Sequence, residues 1–207
     1  MEPGLFITLE GGEGAGKSTQ IERVAEWFRQ HGRQVVVTRE PGGTRVGESI
    51  RRLLLEREHA AIGNETELLL IFAARAQHIL EVIRPALAEG RVVISDRFTD
   101  ATYAYQGGGR GVARAQIEQL ENWVQDDLRP DLTLLLDVPV ELGMERAGKR
   151  SAADRFEAEQ LAFFVAVREA YLDIARHEPG RIRVIDASRP IAEVTLDIVK
   201  ILEREYA

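Results

Sequence analysis

Residues 11–18 read Gly-Gly-Glu-Gly-Ala-Gly-Lys-Ser, a complete G-x-x-x-x-G-K-[ST] phosphate-binding loop, directly after the apolar run Leu5–Leu9. The pattern constrains the fold because it needs a buried strand before it and a helix after it. Ile21, Val24, Ala25 and Phe28 recur at i, i+3, i+4 and i+7, and Gly32 supplies a stop, which predicts that helix. Glycines let backbone N–H groups turn inward on phosphate oxygens, and the helix N-terminus adds partial positive charge. The triphosphate site is therefore placed at Gly11, Gly12, Glu13, Gly14, Ala15, Gly16, Lys17, Ser18 and Thr19. Lys17 would reach the β- and γ-phosphates, and the Ser18 hydroxyl would ligate Mg²⁺ directly. The plainer alternative is a glycine-rich turn with a chance lysine. Lysine occurs only at positions 17, 149 and 200, so its presence at the one required place counts against chance.

Four further short runs rich in branched residues follow: Val35–Thr38, Val92–Ser95, Leu132–Asp137 and Ile182–Ile185. Helical patterns separate them, one covering Thr66–Ala88. This alternation predicts an α/β fold with a parallel sheet buried by helices on both faces. Ligands of such sheets sit beyond the carboxyl ends of the strands. With 207 residues and no internal repeat or linker, one domain over 1–207 is expected. A formal charge of −7 argues against a general nucleic-acid or membrane-surface binder, so an anionic ligand must be held by local arginines. No cysteine is present, which removes disulfides, thiolate metal sites and thiol nucleophiles. With no signal-like or transmembrane run, a cytoplasmic protein is the expectation.

The segments after the strands carry the remaining candidates. Arg39, in Thr38-Arg39-Glu40-Pro41-Gly42-Gly43, either meets an anion or decorates a plain turn. Asp96 and Arg97 follow the third run. Arg97 can clamp phosphate oxygens and Asp96 can hold a water of the Mg²⁺ shell, or the two form a structural ion pair. Tyr105 and Gln106, within Thr102-Tyr103-Ala104-Tyr105-Gln106-Gly107-Gly108-Gly109, form either a base-recognition wall or core aromatics beside a flexible loop. Phe72 and Arg75 lie three apart on one helix face, suited to holding a planar base, though a lone Phe is more often core. Between about 143 and 157 stand Arg146, Lys149, Arg150 and Arg155, either a solvated segment or a mobile lid over the transferring group.

Taken together these stretches resemble the bacterial thymidylate kinases: Leu9–Thr19, Thr38–Thr44, Asp96–Asp100, Ala104–Gly111 and Asp154–Glu157. The resemblance runs from Leu5 to the end of the chain. It implies a P-loop nucleoside monophosphate kinase fold with a five-stranded parallel sheet in the order 2-3-1-4-5. It also implies transfer of the ATP γ-phosphoryl group to dTMP, giving dTDP for dTTP synthesis and DNA replication, and commonly a homodimer. Carried over by position, Arg39 and Arg97 would hold the dTMP phosphate, with Glu40 beside them. Phe72 would stack on thymine, Arg75 would donate to its O4, and Gln106 would bond the base edge. Thr102, Tyr105 and Arg51 would complete the pocket, and Glu13 would lie near the sugar 3′-hydroxyl. Family members place their catalytic arginine either in the phosphate loop or in the lid. Gly14 in the loop, with Arg146 and Arg150 in the lid, matches the second type, and Arg150 is the favoured residue. Two positions depart from the family pattern. Ile71 stands where many relatives have the stacking Phe, and Gly148 where some have a further lid arginine.

The acceptor is already a phosphate oxyanion, so no general base is needed. Lys17, Mg²⁺, Arg97 and Arg150 would share the charge developing on the transferred group. A GTP-dependent switch protein would need Asn-Lys-x-Asp and Asp-x-x-Gly, and neither occurs. Asp137 is followed by Val138 rather than by the glutamate that ATP-driven motors use on water.

Overall fold

The computed structural model describes residues 3–56, 62–148, 156 and 159–206. Its five strands are β1 (Leu5–Glu10), β2 (Val35–Arg39), β3 (Val92–Asp96), β4 (Leu132–Asp137) and β5 (Ile182–Asp186). All neighbours pair in parallel, in the order β2-β3-β1-β4-β5. This is the order implied by the resemblance, and each strand lies within one residue of the run read from sequence. Connections between parallel neighbours must cross over, and helices make those crossings. They are α1 (Lys17–Gln30), α2 (Arg45–Leu55), α3 (Asn64–His78), α4 (Arg84–Ala88), α5 (Thr99–Thr102), α6 (Arg114–Gln125), α7 (Val140–Gly148) and α8 (Leu161–His177), and α9 (Ile191–Tyr206) follows the last strand.

Alternate strand residues face opposite sides of the sheet, and the two sides are chemically different. On one side Ile7, Leu9, Ile94, Leu134 and Leu136 pack with Val24, Phe28, Val194, Ile198 and Leu202 of α1 and α9. That side is mainly apolar, with Gln20 of α1 and the Arg183–Glu205 pair among its polar groups. On the other, Phe6 and Val93 pack with Ile79, Ile83 and Phe98, while Leu135 and Ile182 pack with Tyr105, Phe164 and Tyr171. The same side also buries Thr8, Glu10, Ser95 and Thr133. The Thr8 and Thr133 hydroxyls bond each other at 2.8 Å across β1 and β4. Arg181 grips both oxygens of Asp100 at 2.7 Å and donates to Thr133 at 2.8 Å. A polar seam thus runs beneath α5 and α8, on the side that carries the site.

The helix read as Thr66–Ala88 begins two residues earlier and is not uniform. Between α3 and α4 the chain takes a π-helical course over Ile79–Ile83. Pro85 lacks the N–H that would bond back four residues, and a wider turn just before it absorbs the loss. The glycine-rich stretch after α5 is also helical, a π-helical run over Tyr103–Gly109. Its glycines serve packing. A Cβ at Gly108 would stand 2.6 Å from that of Ala170, and one at Gly109 would stand 2.4 Å from the Phe163 ring. α8 therefore lies directly against this run, which excludes the flexible-loop alternative. Of the segment read as a lid, only 143–148 and 156 fall within the described residues.

Candidate active site

The turns after β1, β2 and β3 open on one cavity of about 250 Å³. Gly14, Lys17 and Ser18 form one wall, Arg51 and Ile71 another, and Arg75, Arg97, Thr102, Tyr105 and Gln106 close it. Gly16, with φ 88°, turns the chain into α1. Lys17 curls over its own loop, its Nζ donating to the carbonyls of Gly11 at 3.0 Å and Gly12 at 3.1 Å. Burial, and then the neighbouring Arg97, hold its ammonium below the ordinary lysine range.

Gly14 has a steric role beyond the missing arginine. A Cβ there would stand 2.0 Å from the carbonyl oxygen of Gly143, and a Cβ on Gly143 would stand 2.4 Å from that of Glu13. The phosphate loop and the first turn of α7 meet backbone to backbone. Arg146, three residues on, donates to the carbonyls of Ala187 at 2.7 Å and Ser188 at 2.9 Å, in the turn after β5. Its guanidinium is set on that turn and not on the cavity wall. Arg150 lies outside the described residues.

Arg97 reaches the centre through an unusual backbone, with φ 70°. Its Nη2 donates to Glu13 at 2.6 Å and to the Tyr105 hydroxyl at 2.7 Å, and Tyr105 donates to Glu13 at 2.9 Å. Burial works against ionising Glu13, but Arg97 and Lys17 together bring its carboxyl down to about 2. Arg51 donates to the Pro41 carbonyl at 3.0 Å and lines the same cavity. Burial, with Arg39 and Arg97 nearby, lowers its pKa. The positive charge of Arg51 is thus disfavoured where it stands, and an anion in the cavity would relieve it. Arg39 lies at the exposed edge, paired with Glu48 at 2.9 Å, and does not line the cavity.

Arg75 is almost wholly buried, between the rings of Phe72 at 4.8 Å and Phe98 at 5.0 Å. Its Nε donates to Glu40 at 2.7 Å, and its Nη2 donates to Thr102 at 2.8 Å and to the Phe98 carbonyl at 3.2 Å. Glu40 in turn contacts His78 at 2.9 Å, and His78 contacts Thr38 at 2.6 Å. Glu40 therefore stands behind Arg75 as its support. Phe72, expected on the base, packs with Leu68 and Ile117, while Ile71 lines the cavity. Both positions lie on the Arg75 side of α3, and the guanidinium, folded over Phe72, covers that ring.

Among the described residues five buried side-chain atoms lack a hydrogen-bond partner, and three of them stand together: Arg75 Nη1, Arg97 Nε and Asp96 Oδ1. All three residues line this cavity. Buried polar groups are seldom left unpaired, and two donors with one acceptor around one space describe a polar ligand and a cation.

Sequence reading missed Glu10, the acid that ends β1. It is fully buried, accepting from the Phe98 N–H at 2.7 Å and the Tyr171 hydroxyl at 2.8 Å. The available signal was an acid closing an otherwise apolar strand. Glu67 behind Gln106 and Gly143 against the loop were missed as well, and neither carries a local sequence mark.

The thymidylate kinase family model matches residues 9–198. A thymidylate kinase of Pseudomonas savastanoi pv. phaseolicola is 59% identical over 199 residues, covering 96% of this chain and 95% of that protein. One of Methylococcus capsulatus is 59% identical over 194 residues, covering 94% and 92%. The crystal structure of thymidylate kinase from Ehrlichia chaffeensis superposes with a TM-score of 0.79 at 35% identity, covering 97% of this chain and 99% of that one.

Burial, and then Asp100, push the Glu10 carboxyl up to about 8, against its two hydrogen-bond donors. The folded chain thus keeps a proton that the unfolded chain releases near its ordinary value of 4.5. Stability carried through Glu10 falls as pH rises between those values. Glu10→Gln should flatten the decline in urea midpoint from about pH 5 to 8. An unchanged slope would show that the charge at Glu10 does not set it.

Proposed function

The chain belongs to the thymidylate kinase family, and we propose that the residues around this cavity bind dTMP and ATP and stabilise phosphoryl transfer between them. It is a nucleoside monophosphate kinase that phosphorylates dTMP to dTDP with ATP as donor. The observation that carries the site assignment is the set of three unpartnered polar atoms on one cavity beside the phosphate loop.

Gly11–Thr19 cradle the ATP phosphates, with Lys17 near the β- and γ-groups. Arg97 and Arg51 take the dTMP phosphate, and Arg39 approaches from the rim. Arg97 donates through Nε while Glu13 and Tyr105 hold its Nη2. Arg75 Nη1 donates to O4 of thymine, Gln106 meets the adjacent edge, and Ile71 packs on the ring in place of Phe72. Glu13 and Tyr105 lie beside the sugar. Ser18 directly, and Asp96 through water, fit Mg²⁺, since the Asp96 oxygen is buried without a partner and hard oxygens suit that ion. Such a cation supplies positive charge to the phosphate oxygens.

A lone pair on the dTMP phosphate attacks the γ-phosphorus, and the bond to the β,γ-bridging oxygen breaks to release ADP. That nucleophile is already an anion, so the protein's work is positioning and charge stabilisation. Lys17 and Arg97 supply charge from the loop and the β3 turn. Arg150, from a lid over about 143–157 within a single domain, supplies it from above and excludes water. With Arg146 set on the turn after β5, Arg150 is the lid residue we favour for catalysis.

We also read the chain as a homodimer. On the α3 face Leu69, Ala73 and Ala76 are exposed, and Leu80 extends the row, with Leu69 57% and Leu80 67% accessible. Such a stripe suits a second copy of the same surface. No described helix is long and apolar enough to cross a membrane.

A panel of acceptors with coupled ADP detection tests the substrate assignment. dTMP should be preferred over dCMP and dGMP by at least ~100-fold in kcat/KM, and equal turnover would refute it. Arg150→Ala should lower kcat by roughly 100-fold or more and leave KM for dTMP within a few-fold. A raised KM with kcat intact would remove Arg150 from the reaction. For the dimer, sedimentation of the Leu69→Glu, Leu80→Glu chain should give half the mass of the unmodified one. Equal masses would place the interface elsewhere.

A further inference from the structure

Gln106 carries a donor and an acceptor on one side chain, and its amide can turn to offer either. Arg75 has no such freedom, since a guanidinium only donates. A pyrimidine with a 4-oxo group and an N3–H presents an acceptor and then a donor. A 4-amino pyrimidine presents the reverse. Arg75 therefore reads one half of this distinction by its nature, while Gln106 reads the other half only if its amide is prevented from turning.

Glu67 prevents it. It stands in the first turn of α3 and is fully buried. Its Oε1 accepts from Gln106 Nε2 at 2.8 Å and from Arg110 Nε at 3.3 Å. A carboxylate can only accept, so the Gln106 nitrogen is committed to it and the oxygen is left for the cavity. Arg110 is itself fixed, bonded to Glu159 at 2.6 Å and lying over the Phe163 ring at 4.7 Å. Thr102, which accepts from Arg75, lies four residues before Gln106 on the continuous helical run, so the Arg75 contact and Gln106 stand about one turn apart along it.

We propose that Glu67 is a specificity-positioning residue: it holds the Gln106 amide with its oxygen toward the base and so sets the preference for a 4-oxo over a 4-amino pyrimidine. It does not touch the substrate. The proposal rests on the reading that Gln106 meets the base edge.

The test measures kcat and KM for dTMP and dCMP, with thermal melting, in the full chain and three variants. Gln106→Leu should raise KM for dTMP by about tenfold, the loss of one buried hydrogen bond. Glu67→Gln should keep the unmodified preference, because Arg110 directs its amide oxygen toward Gln106. Glu67→Leu frees the Gln106 amide to turn and should lower the ratio of kcat/KM for dTMP over dCMP by about tenfold, partly through better use of dCMP. If Glu67→Leu weakens both substrates equally, Glu67 is only structural and the proposal fails. If Gln106→Leu changes neither substrate, the base-edge reading fails first, and this inference falls with it. Should Glu67→Leu not fold, the unmodified chain decides by NMR. The Gln106 side-chain amide protons, assigned by their loss in Gln106→Leu, should hardly move on adding dTMP. A large shift would mean that the nitrogen turns to the base, which overturns the proposal.

Discussion

The 2.6 Å contact between Arg97 and Glu13 is the join on which the rest of the site depends. It ties the loop after β1 to the turn after β3, two strands already in register at Leu9 and Asp96. Arg97 reaches it only by taking φ 70°, which costs a non-glycine residue about 1–3 kcal/mol. Three bonds hold that conformation. Its N–H donates to Leu9 at 3.0 Å, its carbonyl accepts from Ser95 at 2.7 Å, and the next N–H donates to Glu10 at 2.7 Å. The polar seam on this side of the sheet now has a use. Ser95 and Glu10 fix a strained turn, and the turn aims the guanidinium.

The same construction recurs around the cavity. Each group that would read the substrate has a carboxylate behind it: the half-buried Glu13 for Arg97, and the buried Glu40 and Glu67 for Arg75 and Gln106. Buried ion pairs are weak sources of stability, because desolvation offsets most of their attraction. What they supply here is direction. A guanidinium with two edges bonded has one left, and in Arg75 and Arg97 an unpartnered nitrogen remains on a residue that lines the cavity. The acid excess of the whole chain, −7, therefore says little about the site, where the local balance is set by acids placed behind bases.

How much of this was legible in the sequence depended on the range of the interaction. The strands, the loop and α1 were readable because strand and helix periods are local properties of the chain. Arg97 was named as a candidate from the motif at the end of β3, and Arg75 and Gln106 from a helix face and a motif beyond it; the structure sets all three on one cavity. The supports were not: Glu10 meets Tyr171 and Glu67 meets Gln106 across long separations, and nothing near either acid announces its partner. The choice between Ile71 and Phe72 was beyond periodicity, since positions three and four before Arg75 share a face. In the structure Arg75 lies over the Phe72 ring and Ile71 lines the cavity. The glycine run at 107–109 misled for a related reason. Composition suggested a loop, whereas its glycines make room for Ala170 and Phe163 of α8.

Gly14 shows how one of these long-range contacts bears on mechanism. From sequence it marks a loop without an arginine, and in the structure there is no room for a side chain. A Cβ at position 14 would stand 2.0 Å from the carbonyl of Gly143, so any larger residue must part the loop from α7. On the proposed lid reading, further positive charge over the transferred phosphoryl group comes from beyond α7. That helix is fastened through its middle, at Gly143 to the phosphate loop and at Arg146 to the turn after β5. The segment that follows Gly148 therefore starts from a point fixed relative to the phosphates. Backbone contact at Gly14 both denies the loop its own arginine and anchors the element from which a replacement can be delivered.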